Sequence, residues 1–168
     1  QIVRLREQMV RKRRNARQQI KSFLLTHGVA APEGLSNWSQ AGREALRSLD
    51  LSAELRMCLN MLCDEETHAD QQVQRMTEAM QRLAARQRHK KKVRLMRTVP
   101  GVGPVTAMTF QTELVDPHRF DDGGQVAKMI GLTPGVRESG ERRREGPLLK
   151  TGNWRLRTAL VEAAWRWV

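Results

Sequence analysis

Tyrosine is absent from this chain, and aromatic residues make up only 4% of its 168 positions. A core built on packed rings is therefore excluded, and burial has to rest on Leu, Val, Ala and the eight Met. Cysteine is nearly missing too: Cys58 and Cys63 stand five apart. That pair makes neither a disulfide framework nor a Cys-x-x-Cys metal or redox motif. The four histidines (His27, His68, His89, His118) are scattered, so no zinc-ligand cluster is visible and no metal site is expected in these residues. No uncharged apolar run approaches the ~18 residues of a membrane span, and no signal peptide opens the chain. The expected location is intracellular, with no membrane partner. The chain starts at Gln1 rather than Met and stops inside a helical pattern at 165–168, which reads as an excised piece of a longer intracellular protein.

Acid is scarce as well. Thirty Lys and Arg face eighteen Asp and Glu, a net charge of +12. A polyanion is the first partner to consider. The charge is also unevenly placed. Eight basic residues and one acid lie between Arg4 and Lys21, and eight basic residues and no acid between Arg82 and Arg97. Between these runs, from Asp50 to Glu78, seven acids outnumber two arginines. A lone basic run is often only a solvated helix face. Two runs flanking an acidic stretch read as two phosphate-contacting segments, with Arg13 and Arg14 in the first and Lys90, Lys91, Lys92 and Arg94 in the second.

The periodicity predicts an all-α fold, a long coiled-coil helix followed by a small helical domain. Residues 1–28 read as a basic helix stopped by Gly28, and 29–51 as a connector broken by Pro32 and Gly34. From 52 to 97 there is no Pro or Gly. Leu55, Leu59, Leu62, Ala69, Val73, Met76, Met80 and Leu83 alternate steps of four and three, with Glu66 in the one interrupted seat. At 1.5 Å per residue this is a helix of roughly 65 Å. The favoured reading pairs the seam with a second chain, giving a homo-oligomer in which Glu66 sets register at a cost. The alternative packs residues 1–28 of the same chain onto it.

Residues 98–168 read as the small C-terminal domain. Thr98-Val99-Pro100-Gly101-Val102-Gly103-Pro104-Val105-Thr106-Ala107 follows one helix and opens another. Pro100 ends the first, Pro104 suits the first position of the second, and the glycines permit a tight turn. Free amides at such a helix start favour an anion. This matches the helix–hairpin–helix motif, which grips phosphate without reading bases, so Gly101, Val102 and Gly103 are candidate DNA contacts. The alternative is a hairpin used only for packing. Residues 121–130 read as a short helix capped by Asp121 or Asp122 and ended by Gly131. A long Gly-rich loop follows, in which Ser139 stands among Arg137, Arg142, Arg143 and Arg144, with Lys150 beyond. A serine hydroxyl needs a base to take its proton and cations to hold phosphoryl oxygens; this loop offers the cations but no evident base. A closing helix over 152–168 directs Leu156, Leu160, Val161 and Ala164 inward. Trp154, Trp165 and Trp167 can pack or stack on bases, and packing is favoured.

Val99-Pro100-Gly101-Val102-Gly103, Arg119-Phe120, Gly131-Leu132-Thr133-Pro134, Glu138-Ser139-Gly140, Lys150-Thr151-Gly152-Asn153 and Leu156-Arg157-Thr158-Ala159-Leu160 occur in an order that resembles the C-terminal half of the insertion-sequence one-ten family of bacterial transposases. The resemblance implies a larger protein with an N-terminal RuvC-like domain carrying four acidic metal ligands, a coiled-coil middle and this C-terminal domain. It implies partners as well: DNA, and a structured guide RNA that chooses donor and target. The implied catalytic nucleophile is Ser139. The family often has two adjacent serines here; Glu138 occupies the first place, leaving Ser139 as the single candidate. Any Mg²⁺ belongs to the acidic domain, which these residues do not contain, so the fragment is expected to bind without cutting. The competing readings are a non-catalytic helix–hairpin–helix module dimerised by a coiled coil, and a coiled-coil assembly protein whose basic charge only aids solubility.

Overall fold

The structure, a computed structural model, describes all residues except Gly140, Glu141, Lys150 and Val168; for 137–139 and 142–144 it describes the backbone alone. The described elements are helical apart from one small hairpin: α1 (Ile2–Thr26), α2 (Gln40–Arg47), α3 (Ala53–Ala84), α4 (Gln87–Met96), α5 (Pro104–Leu114), α6 (Gly123–Ile130), strands β1 (Pro134–Ser139) and β2 (Arg142–Leu148), and α7 (Trp154–Trp165). The all-α expectation holds. The chain divides into two compact units, Gln1–Ala79 and Met80–Val168.

In the first unit, α1 runs antiparallel to α3. Arg6 Nε donates to Thr77 Oγ1 at 2.8 Å, Arg13 Nη1 to Asp70 Oδ1 at 2.8 Å and Arg17 Nε to Glu66 Oε1 at 2.7 Å, so numbers rise along one helix as they fall along the other. The seam row Leu59, Glu66 and Val73 is buried. Its cover is α1 of the same chain, not a second copy: the intramolecular hairpin takes the place of the favoured intermolecular coiled coil. Ile20 and Leu24 of α1 join Leu35, Trp38, Leu46, Leu59 and Cys63 in one apolar cluster.

Glu66 has a different role from the register-setting defect expected of it. It is 1% exposed. Besides Arg17, it accepts from Arg43 of α2, whose Nε and Nη2 reach its two oxygens at 3.1 Å each. Arg17 in turn lies over the Trp38 ring, 4.9 Å from its centroid. One carboxylate therefore joins three helices, and its hydrogen bond holds the Arg43 guanidinium still more firmly protonated than usual. A buried charge is tolerated only when its lone pairs are filled in this way.

The single helix expected over 52–97 is two. Arg86 adopts extended backbone, φ −66° and ψ 146°, between α3 and α4. No Pro or Gly causes the break; tertiary packing does. Buried spacing changes after Ala84, and α4 turns its own buried residues, His89 and Val93, to the second unit, where His89 Nδ1 meets Gln111 Nε2 of α5 at 2.8 Å. Packing of this kind overrides intrinsic propensity. The second unit thus begins before residue 98, and α4 belongs to it.

Helix α5 forms the centre of that unit and packs on both α4 and α7. It buries Ala107, Met108 and Leu114. Its threonines satisfy their hydroxyls on the helix itself, Thr109 Oγ1 donating to Val105 O at 2.9 Å and Thr112 Oγ1 to Met108 O at 2.8 Å. Helix α6 starts with Asp122 accepting from Gln125 N at 2.8 Å and ends at left-handed Gly131, as expected. Helix α7 buries Leu156 and Ala163, whereas Val161 and Ala164 face outward, correcting the predicted inward set.

The role of Glu66 is testable by urea unfolding. Replacing both Arg17 and Arg43 with Ala leaves a buried carboxylate without its main partners and should cost about 3–5 kcal/mol. Glu66→Leu, which restores an apolar seat, should cost clearly less. Equal losses would mean that the carboxylate is not what joins the helices.

Candidate nucleic-acid interface and the serine hairpin

Along α4, Lys90, Arg94 and Arg97 recur at intervals of four and three, which places them on one face. Together with Gln81, Ala84, Ala85, Val93, Thr98 and Pro104 they line a cleft of about 640 Å³. Pro104 is the first residue of α5, and Gly103, its N-cap, offers no side-chain cap. Three cations and an uncapped helix start therefore meet at one concavity, a combination suited to phosphate. The turn between the helices is closed by Val102 N donating to Val99 O at 3.1 Å and by Thr98 Oγ1 donating to Leu95 O at 2.7 Å.

The two hairpin glycines do different work. Gly101 has φ +79°, a conformation side chains rarely adopt, and a Cβ there would overlap the carbonyl oxygen of Ala163 on α7. Its missing side chain serves internal packing. Gly103 has nothing within 4 Å of where its Cβ would be, so it alone leaves room for an incoming backbone. Val102 is half-buried.

The segment expected as a loop around Ser139 is an antiparallel β-hairpin. Val136 pairs with Glu145, Arg137 with Arg144, Glu138 with Arg143 and Ser139 with Arg142, with an irregularity between Pro134 and Val136. Ser139 ends β1 at the far end of the hairpin. An isolated two-stranded ribbon is marginal in water, so this one depends on its base. There, Leu149 N donates to Thr133 O at 3.1 Å and Asn153 N to Met129 O at 3.1 Å. Arg157 Nη1 donates to Ile130 O at 2.9 Å and Thr151 O at 3.2 Å, stapling the segments entering and leaving the hairpin. Gly131 (φ +73°) and Gly152 (φ +89°) pass so close to Thr151 O and Met129 O that a Cβ on either would overlap them. Asn153 caps α7 by accepting from Arg155 N and Leu156 N at 3.1 and 3.2 Å, while its Nδ2 donates to Glu113 Oε2 of α5 at 2.9 Å.

Residues 93–168 match the transposase family described as IS116/IS110/IS902. They are a transposase domain of that family. Nearly the whole chain also aligns with longer proteins. The Sinorhizobium fredii protein y4qE, named for a transposase, is 30% identical over 98% of this chain and 39% of its own length. The transposase for insertion sequence element IS1111A of Coxiella burnetii is 26% identical over 97% of this chain and 44% of its own. A family 20 transposase of Pseudomonas aeruginosa, named as probable, is 26% identical over 96% and 48%. The chain thus spans less than half the length of these relatives.

The candidate residues separate in the structure. Lys90 and Arg94 share the cleft, joined by Arg97, which the sequence reading passed over although its spacing from Lys90 marks the same face. Lys91 is exposed, and Lys92 lies on the other side of α4 with His89, Gln111 and Thr112. In the first unit, Arg13 is committed to Asp70, in place of the phosphate contact expected of it, while Arg14 is exposed. The side chains of Arg137, Ser139, Arg142, Arg143 and Arg144, and all of Lys150, lie outside the described residues. Arg157 and Asn153 lie in motifs of the family resemblance and Glu113 in none; the carbonyl and carboxylate oxygens that engage them are brought near only by the fold. Among the described residues no group of three or more His, Cys, Asp or Glu could hold a metal ion. No helix among them is long and apolar enough to cross a membrane.

The glycines yield a direct test. Gly101→Ala should cost about 2 kcal/mol or more, through its left-handed φ and its overlap with Ala163. Gly103→Ala should stay within about 1 kcal/mol of the parent. Thermal melts of the two variants check this, and a well-folded Gly101→Ala protein would refute the assignment.

Proposed function

We propose that this chain is the phosphate-gripping and serine-bearing portion of a DNA transposase that cuts and rejoins strands. The observation that carries the reading is the meeting of Lys90, Arg94, Arg97 and the uncapped start of α5 in one cleft, within a domain of a transposase family. The cleft holds a duplex or structured RNA by its backbone, with little sequence preference, as a helix–hairpin–helix does. A structured guide RNA is a second polyanion that the same surface suits. In the cell this activity belongs to the cytoplasm, at the nucleoid. Pairing of copies falls to surfaces other than the α3 seam, such as the outer face of α3, where Met57 and Met61 are 62% and 67% exposed.

In the chemistry proposed, Ser139 Oγ attacks a backbone phosphorus. The Ser139 O–P bond forms as a strand P–O bond breaks, and the departing sugar oxygen takes up a proton. The serine proton passes to a base outside this chain. The reverse step reseals a new strand without a nucleotide triphosphate, because the energy of the phosphodiester is kept in the serine ester. Arginines of the hairpin are suited to steadying the phosphoryl oxygens.

Two measurements test the reading. Lys90→Ala, Arg94→Ala and Arg97→Ala should each weaken DNA binding uniformly across sequences and lower the slope of log affinity against log salt by about 1. Lys92→Ala should do less. In the full-length protein with its RNA and DNA partners, Ser139→Ala should abolish covalent protein–DNA adducts while binding persists. Recombination by the Ala variant would reduce the chain to a binding module.

A further inference from the structure

Helix α4 has a second recess, on the side away from the basic cleft. Lys92 stands two residues after Lys90, about 200° further around the helix. With Arg88, one turn earlier, it lines a cavity of about 240 Å³ whose other walls are His89, Gln111, Thr112 and Val115. The lining holds two cations and no carboxylate.

The recess is more than two exposed cations, because His89 in its wall is only 7% exposed. His89 Nδ1 meets Gln111 Nε2 of α5 at 2.8 Å. An amide nitrogen can only donate, so Nδ1 is the acceptor and the ring proton sits on Nε2. Among the described residues nothing accepts from that Nε2. A fixed imidazole N–H without an acceptor, flanked by a guanidinium and an ammonium, is suited to an anion. Gln111 holds the ring although its own Oε1 is left buried with no hydrogen-bond partner. An unpaired buried polar atom calls for a reason, and orienting His89 supplies one. Val115 is strained as well. It has φ +64° and ψ −71°, and Asp116 N donates across it to Leu114 O at 2.8 Å. This is a γ-turn of the rare hand on a β-branched residue, and such outliers gather at ligand clamps.

We propose that this recess holds a second backbone phosphate of the nucleic acid, received by His89 Nε2–H between Arg88 and Lys92. The inference rests on the nucleic-acid reading above and extends it: α4 has a phosphate on each side, one in the Lys90–Arg94–Arg97 cleft and one here. Arg88 and Lys92 share the second phosphate, so loss of Lys92 alone does little and loss of both empties the recess. DNA, RNA and the free phosphate ion offer the same chemistry, and the test separates them.

The experiment follows the four histidine rings of the full chain by nitrogen–proton NMR as duplex DNA, a hairpin RNA or inorganic phosphate is added. The His89 Nε2 resonance should move with nucleic acid, and far less with inorganic phosphate at the same phosphate concentration. His27 and His68 should stay in place. Replacing Arg88 and Lys92 together with Ala should abolish the movement. It should also weaken binding about tenfold and lower the slope of log affinity against log salt by about 1, while Lys91→Ala stays within about twofold of wild type. If nucleic acid binds and His89 stays still, the recess is empty: the proposal falls and the cleft reading stands. If the double variant binds no worse than Lys91→Ala, or its His89 still moves, general charge is at work and the proposal falls likewise. If inorganic phosphate moves His89 as readily as DNA and RNA do, the recess serves the free ion and the backbone assignment is wrong. If neither nucleic acid binds, the nucleic-acid reading fails and takes this one with it. Movement with DNA alone or RNA alone supports the site and identifies its ligand.

Discussion

A carboxylate taken out of water must have its oxygens filled, and among the described residues the one buried carboxylate, Glu66, is a joint of the fold. Glu66 gathers Arg17 and Arg43 and fastens α1 and α2 to α3. Asp70 lies one turn further along, with Arg13 at 2.8 Å and Arg17 and Arg43 at 3.5 Å. In the other unit the half-buried Glu113 accepts from the side-chain amide of Asn153, the N-cap of α7. The positive charge left over is displaced to surfaces. Part of the basic N-terminal run is thus internal mortar, and the sum of +12 overstates what that run offers a polyanion.

The same division runs through the family motifs. Five of the glycines and polar residues that carry the likeness to transposases are fixed by the protein's own backbone. Gly131, Gly152, Asn153 and Arg157 hold the root of the β-hairpin, and Gly101 docks the turn onto α7. What remains open to an incoming phosphate is narrower: Gly103, the start of α5 and the two recessed sides of α4.

Much of this was legible in the sequence, and the failures have physical causes. The helices, the cap of α6 and the turn at 98–103 follow from local spacing and from Pro and Gly, which act within a few residues. Glu66 was visible as an interrupted seat, but its partners stand 49 and 23 residues away, where periodicity has no reach. The break at Arg86 carries no breaker residue, because α4's packing onto α5 causes it. The hairpin escaped notice because Arg137-Glu138-Ser139 and Arg142-Arg143-Arg144 show no alternation of apolar and polar side chains. Trp165 and Trp167, expected to be packed, are 77% and 68% exposed in this chain.

The hairpin's form has a mechanical consequence. With Val136, Leu148 and Leu149 exposed, its attachments among the described residues lie at one end, and Ser139 closes the described part of β1 at the other. At about 3.4 Å per residue, the arm from Pro134 to Ser139 is about 17 Å long. A rotation of ten degrees about its root would carry the serine backbone through roughly 3 Å on such an arm, the difference between a hydrogen-bonding distance and none. The place of the Ser139 backbone is therefore set far from it, where an arginine and two glycines meet the carbonyl oxygens of the pivot.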